Sequence, residues 1–324
     1  MTKTTTGAIY AALACMLGFA AVPAKAADTI QMGLLGAANA VEWPYYVGLH
    51  KNFFADAGIK LDVIYVPSPP GLVQQLAAGS LDMCDIGAVE PIHGAARGAP
   101  VAILRISEAV SPYAIVGKSS IKSIKDIKGH TVIIGGLVDI NRVYLERVLK
   151  AVGLKDSDID ITVAGSTAAR FAALKSGSAD VTMLAPPVNF FAENAGFKSL
   201  GLMIDYTKDL PFGATDVARA YAEKHHDAVV RFMGALDKSI AWFNDDSHRA
   251  EAIDMLAAEM KSNDRDSIAK SFDFLRKIKF FPNDGTVSRK SLEALMTEMA
   301  TIGDTDGKVP FDKLVLAGVT KVGD

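Results

Sequence analysis

Three short passages of this chain occur twice, in the same order and about 100 residues apart. Thr29-Ile30-Gln31-Met32-Gly33 returns as Thr131-Val132-Ile133-Ile134-Gly135. Gly58-Ile59-Lys60, followed by Leu61-Asp62-Val63-Ile64, returns as Gly153-Leu154-Lys155, followed by Ile159-Asp160-Ile161-Thr162-Val163. Leu76-Ala77-Ala78-Gly79-Ser80-Leu81-Asp82 returns as Leu174-Lys175-Ser176-Gly177-Ser178-Ala179-Asp180. A chain that repeats its landmarks at one offset builds two similar α/β lobes. Two lobes leave a cleft between them, and such clefts hold small ligands.

The rest of the pattern agrees. Short apolar runs at 29–35, 61–66, 83–87 and 101–106 read as buried strands alternating with helices, which argues for a mainly parallel sheet. Pro44 suits a first helical turn, and Tyr46, Leu49, His50, Phe53 and Phe54 follow at helical spacing until Gly58. The second half repeats strand and helix over 131–134, 142–152, 159–163, 168–176 and 181–184. From 227 to 301 the signal is helical, with Val230, Phe232, Met233, Leu236, Ile240, Trp242 and Phe243 on one face. This block has no counterpart in the first lobe, so we expect it to pack back there. The expected domains are lobe 1 at 27–111 plus 211–324, and lobe 2 at 112–210.

Residues 1–26 read as a secretory signal peptide. Lys3 gives the positive start, the apolar run at 8–22 is too short to span a bilayer, and Ala24-Lys25-Ala26 gives a small-x-small cleavage pattern near Ala26. Cys15 raises lipidation as an alternative, but Ala12-Leu13-Ala14 before it lacks the leading Leu of a lipobox. Losing Lys3 and Lys25 takes the formal charge from −3 to −5, so there is no basic footprint for nucleic acid. Of the two cysteines only Cys84 remains, which excludes an internal disulfide, and its neighbours Met83 and Ile86 mark it as core. The expectation is an exported, periplasmic monomer.

Several motifs resemble one family as an ordered set running from about Thr29 to the end of the chain. Ile121-Lys122-Ser123-Ile124-Lys125-Asp126-Ile127-Lys128-Gly129-His130-Thr131-Val132 is similar to the segment that opens the second lobe in periplasmic substrate-binding proteins of ABC importers. The paired L-x-x-G-x-x-D passages and Phe53-Phe54-Ala55-Asp56-Ala57-Gly58-Ile59 resemble the same family. The nearest branch holds nitrate-, sulfonate-, taurine- and thiamine-pyrimidine-precursor-binding proteins. The resemblance implies the type II periplasmic-binding-protein fold: two α/β lobes joined by a two-strand hinge, here near 108–112 and 207–213. It also implies a small organic ligand, a membrane permease and a cytoplasmic ATPase as partners, with no catalytic role.

Ligands in open α/β sheets sit outside the carboxyl ends of the strands, near helix N-termini. Five loops qualify. Trp43 and Tyr45 either stack on a ligand or pack the lobe edge. Ser68 either caps the next helix or meets the ligand. In Gly87-Ala88-Val89-Glu90-Pro91, the family places small or hydroxylated residues, so Glu90 departs from it; Ala88, Val89 and Glu90 are candidates, with Glu90 either a helix-start acid or an acceptor for ligand nitrogen. Asp139 and Asn141 stand where relatives carry a Gly-Ser run, and Asp139 has the same two readings. Pro186 lies in a loop that lacks the family's tryptophan, and Phe212 is a candidate wall at the returning hinge. Arg170, in the first turn of its helix, either reaches an anion or is exposed, and exposure is the expectation. A loop set with two acids and no evident arginine favours an aromatic or heterocyclic ligand over an inorganic oxyanion, with organic acids and sulfonates still open.

No histidine pair has metal-ligand spacing, and no P-loop, dinucleotide fingerprint or nucleophile elbow occurs. We therefore expect no metal and no cofactor. The competing readings are a fold-related enzyme of pyrimidine or thiamine-precursor metabolism, whose cysteine-rich motif this chain lacks, and a ligand-presenting partner of a membrane sensor.

Overall fold

The computed structural model describes residues 1–2, 27–305 and 308–324. Of the expected leader at 1–26, residues 3–26 with the cleavage site lie outside the described residues. Ten strands build two five-stranded sheets. They are β1 (Asp28–Leu35), β2 (Ile59–Val66), β3 (Met83–Gly87), β4 (Val101–Glu108), β5 (Ala114–Gly117), β6 (Thr131–Ile134), β7 (Asp160–Val163), β8 (Val181–Leu184), β9 (Lys198–Leu202) and β10 (Gly213–Ala218).

The first sheet runs β2-β1-β3-β10-β4 and the second β7-β6-β8-β5-β9. In the first, β10 is antiparallel to both β3 and β4. In the second, β5 is antiparallel to both β8 and β9. The remaining pairs are parallel. The two sheets therefore share one plan, and each takes its antiparallel strand directly after the chain has crossed from the other lobe. The crossings are residues 109–113, between β4 and β5, and 203–212, between β9 and β10. This two-crossover arrangement is the expected hinge.

The repeat has a structural cause. Asp82 Oδ2 accepts from Gln31 N at 2.8 Å, and Asp180 Oδ2 accepts from Thr131 N at 3.0 Å. The backbone reciprocates, Asp82 N to Gln31 O at 3.0 Å and Asp180 N to Thr131 O at 2.9 Å. Each Asp thus pins the chain after a helix to the matching strand of its own lobe, β1 in one and β6 in the other. The glycine three residues earlier is left-handed in both copies, with φ +73° at Gly79 and +80° at Gly177, a conformation that ends a helix at little cost only for glycine.

The helices His226–Phe243, Arg249–Glu259 and Arg265–Lys277 pack beside the first sheet's helices. They close over the helix Trp43–His50, where the Trp43 ring meets Phe243 at 5.2 Å and Phe272 at 5.7 Å between centroids. The periodic run that suggested one helix to Gly58 is broken: Asn52 adopts φ 59°, so Trp43–His50 and Phe53–Asp56 are separate. Asn tolerates that conformation better than most residues. Among the described residues no helix is long and apolar enough to cross a membrane.

Candidate functional site

A cavity of about 670 Å³ lies between the lobes, at the carboxyl ends of the parallel strands. That volume suits a drug-sized molecule. The lobes are closed around it. Asn194 Nδ2 of lobe 2 donates to Ser267 Oγ of lobe 1 at 3.1 Å, and Arg147 of lobe 2 pairs with Glu298 of lobe 1 at 2.9 Å. At the hinge, Tyr144 OH donates to Pro211 O at 3.2 Å.

Five carboxyl groups line the cavity: Glu42, Asp85, Glu90 and Glu108 from lobe 1, and Asp139 from lobe 2. Glu90 begins the helix Val89–Ala96, is 4 % exposed, and its Oε2 has no hydrogen-bond partner. Gly87 makes room for it, since a Cβ there would stand 2.6 Å from Glu90 Oε2. Burial, then the facing charge of Asp139, pushes the Glu90 carboxyl well above its ordinary range. Glu108 ends β4 and is 1 % exposed; neither Oε receives a hydrogen from a donor. Its carboxyl faces Asp85, and burial followed by the Asp85 charge pushes it well above its ordinary range.

Asp85 is held from behind. Its Oδ2 accepts from Tyr45 OH at 2.5 Å and from Thr215 Oγ1 at 3.0 Å. Glu42 accepts from Leu35 N at 3.1 Å on Oε1 and meets Tyr46 OH at 2.6 Å on Oε2. Burial is the main reason that its carboxyl rises to about 8. Asp139 faces these groups from the second lobe. Its Oδ1 caps the helix Ile140–Val152 by accepting from Arg142 N at 3.1 Å, and its Oδ2 accepts from Asn141 Nδ2 at 3.2 Å. Burial lifts it to about 6, against the pull of Arg170. Asp139 thus caps a helix and also lines the cavity.

Of the residues singled out from sequence, Glu90, Asp139, Asn141, Pro186 and Phe212 line the cavity together. Phe212 stands on the second crossover, its ring 5.2 Å from Tyr113 and 5.9 Å from Phe280. Trp43, Tyr45, Ser68, Ala88 and Val89 are not in the cavity wall. Trp43 is fully buried in the helical core, with Nε1 donating to Ala252 O at 3.0 Å. Tyr45 is spent on Asp85. Ala88 N–H is taken by Phe212 O at 3.0 Å, and Val89 is fully buried behind it. Ser68 precedes the helix Pro69–Ala77 without making a side-chain cap.

Arg170 corrects the surface reading. It is 1 % exposed, and all three guanidinium nitrogens are engaged, with Met183 O, Gly165 O and Thr167 Oγ1. The residues missed from sequence are Glu42, Asp85, Glu108 and Tyr113. Asp85 and Glu108 had a signal: each is an acid inside or ending an apolar strand, where a charge is costly unless it is used.

Two sheets of one plan, two crossovers and a cleft between the lobes define a type II binding-protein fold. The chain belongs to the NMT1/THI5-like family, whose profile matches residues 39–250. It is 23 % identical over 281 residues to the "Putative binding protein YtlA" of Bacillus subtilis (strain 168), covering 84 % of this chain and 83 % of that one. In fold it is similar to the periplasmic aliphatic sulphonate binding protein SsuA from Escherichia coli, with TM-score 0.72 and 20 % identity over 92 % of this chain and 94 % of that one. The desulfurization enzyme DSZB shares the fold at TM-score 0.68 and 15 % identity, over 90 % and 97 % of the two chains.

Proposed function

We propose that this protein is the periplasmic solute-binding component of an ABC importer. It captures a small organic ligand between its lobes and presents the closed form to a membrane permease driven by a cytoplasmic ATPase. The observation that carries this reading is the inter-lobe cavity of about 670 Å³ at a two-crossover hinge. Such a hinge turns ligand contact into a population shift, because a ligand touching both lobes binds the closed state more tightly than the open one. Family membership and the SsuA likeness support it.

An enzymatic role, as in the fold-related desulfurization enzyme, has less support. The described cavity wall carries no histidine or cysteine, so a nucleophile paired with a histidine base is not assembled there. The cavity wall is instead apolar, as at Phe212, Ile140 and Pro186, with a carboxyl-rich patch. That composition suits an aromatic or heterocyclic body carrying polar groups.

The test is a thermal-shift screen of refolded, ligand-stripped protein against aromatic and heterocyclic amines, neutral analogues, organic acids and sulfonates. Each hit is followed by small-angle scattering. A stabilising compound that also shrinks the radius of gyration is the expected result. Stabilisation without compaction, or conversion of the compound to product, would overturn the transport reading.

A further inference from the structure

Resting on the binding-protein reading, the geometry points to the charge of the ligand. We propose that the cavity takes a small organic cation whose N–H donors bridge Glu90 of lobe 1 and Asp139 of lobe 2.

The first argument is an inventory of unmet hydrogen bonds. Among the described residues that line the cavity, Glu90 Oε2 and Asn141 Oδ1 are buried side-chain atoms left without a partner, while the Glu108 carboxyl meets Asp85. Both open positions are oxygens. Buried polar groups are seldom left unpaired, so the missing partner supplies hydrogens. A site for a sulfonate or carboxylate would show the reverse, unspent N–H groups facing an empty centre. Here Arg170, the buried cation of the wall, already spends three of its five N–H groups on protein oxygens. Lys175 also borders the cavity, but it is exposed and lies over the Phe171 ring at 4.8 Å.

The second argument is the room made for these carboxyls. A Cβ on Gly87 would stand 2.6 Å from Glu90 Oε2, one on Gly135 would overlap Asp139 Oδ2, and one on Gly213 would overlap Glu108 Oε2. Three glycines, two in lobe 1 and one in lobe 2, each give a carboxyl a seat against bare backbone. A metal ion does not fit the pattern, because among the described residues no group of three or more His, Cys, Asp or Glu is placed to hold one. The apolar wall beside the carboxyls asks for a carbon skeleton as well as a charge.

The third argument links recognition to closure. Glu90 and Asp139 come from opposite lobes and act on each other electrostatically. Closing the empty cleft brings two like groups together, at a cost. An ammonium, amidinium or protonated aminoheterocycle between them turns that opposition into a bridge, made only in the closed state. Differential contact of this kind is what a ligand needs in order to shift a hinge.

The experiment uses matched probes on the ligand-stripped mature chain: benzylamine, benzamidine and 4-aminopyridine as cations, benzyl alcohol and benzamide as neutrals, benzoate and benzenesulfonate as anions. Thermal shift ranks them and calorimetry gives Kd. The expected result is binding by the cation set above the other two. Glu90→Gln and Asp139→Asn should each weaken the best cation by roughly 10- to 100-fold, the worth of one hydrogen bond to a charged group. Asp139→Asn keeps a side chain able to cap its helix, so its unliganded Tm checks that folding is intact. Preference for the anions or neutrals, cation binding indifferent to both substitutions, or no cation binding at millimolar concentration overturns the proposal. Compaction in scattering with an anion or a neutral would leave the binding-protein reading standing while the cation proposal falls.

Discussion

Glu42→Gln isolates the cost of keeping one acid inside this fold. The Glu42 carboxyl rises from 4.5 to about 8 because it is buried. A raised folded value means that the native state holds the proton more tightly than the unfolded chain does. The resulting stabilisation is complete below pH 4.5 and is lost as the pH climbs through about 8. At 1.36 kcal/mol per pH unit, the group should cost the wild type roughly 3 kcal/mol between pH 6 and pH 9. Glutamine can reproduce the neutral form: its oxygen accepts from Leu35 N, and its NH2 donates toward Tyr46 OH, which already meets Tyr65 OH at 3.2 Å. Glu90 and Glu108 add pH dependence of the same sign, but they add it to both proteins, so the difference belongs to Glu42. The assay is urea unfolding of ligand-free wild type and variant at several pH values across that range. The two stabilities should converge near pH 5, with the variant ahead by roughly 4 kcal/mol at pH 9. Parallel pH profiles, agreeing within about 0.5 kcal/mol throughout, would refute the reasoning.

Three further substitutions test separate parts of the structure. Gly87→Ala places a methyl 2.6 Å from Glu90 Oε2 and 3.3 Å from Ile140 Cγ2 across the cleft; it should lower ligand affinity at least tenfold and reduce ligand-induced compaction in scattering, while an unchanged Kd would contradict the tight seat. Trp43→Ala removes a fully buried ring and its bond to Ala252 O; urea unfolding should show a loss of about 3–5 kcal/mol, and calorimetry an unchanged Kd in whatever protein remains folded. Asp82→Ala removes the acceptor for Gln31 N and should cost about 1–3 kcal/mol, with hydrogen exchange rising first at the start of β1.

The fold was legible because its signals are local. Each repeated passage encodes a helix stop and a strand anchor within seven residues, as in Leu76–Asp82 and Leu174–Asp180, and the spacing between copies carries the duplication. Glu90, Asp139 and Asn141 could be placed at the cavity for a related reason: strand-to-helix loops at the carboxyl end of a parallel sheet face the cleft wherever the sheet is. Glu108 and Asp85 could not, because their meeting depends on β10 seating between β3 and β4, a contact between distant parts of the chain. Trp43 and Tyr45 misled for the opposite reason. Aromatic residues beside a cleft loop look like ligand walls, yet their neighbours come from residues 243, 252 and 272 in one case and 85 and 215 in the other. The local window around residue 43 contains none of them.

The strand order also sets a timetable. Strands β5 to β9 are contiguous in the chain and make up the second sheet without help from elsewhere. The first sheet has a gap between β3 and β4 until β10 arrives, more than a hundred residues after β4 begins. A chain emerging from its N-terminus therefore presents the older half as an unfinished surface while the younger half can already close. The exposed flanks of β3 and β4 are open hydrogen-bonding edges during that interval, a standing invitation to pair with other chains. For this architecture the vulnerable moment in biogenesis is the wait for residues 213–218, and a factor that shields nascent chains would be needed most before they appear.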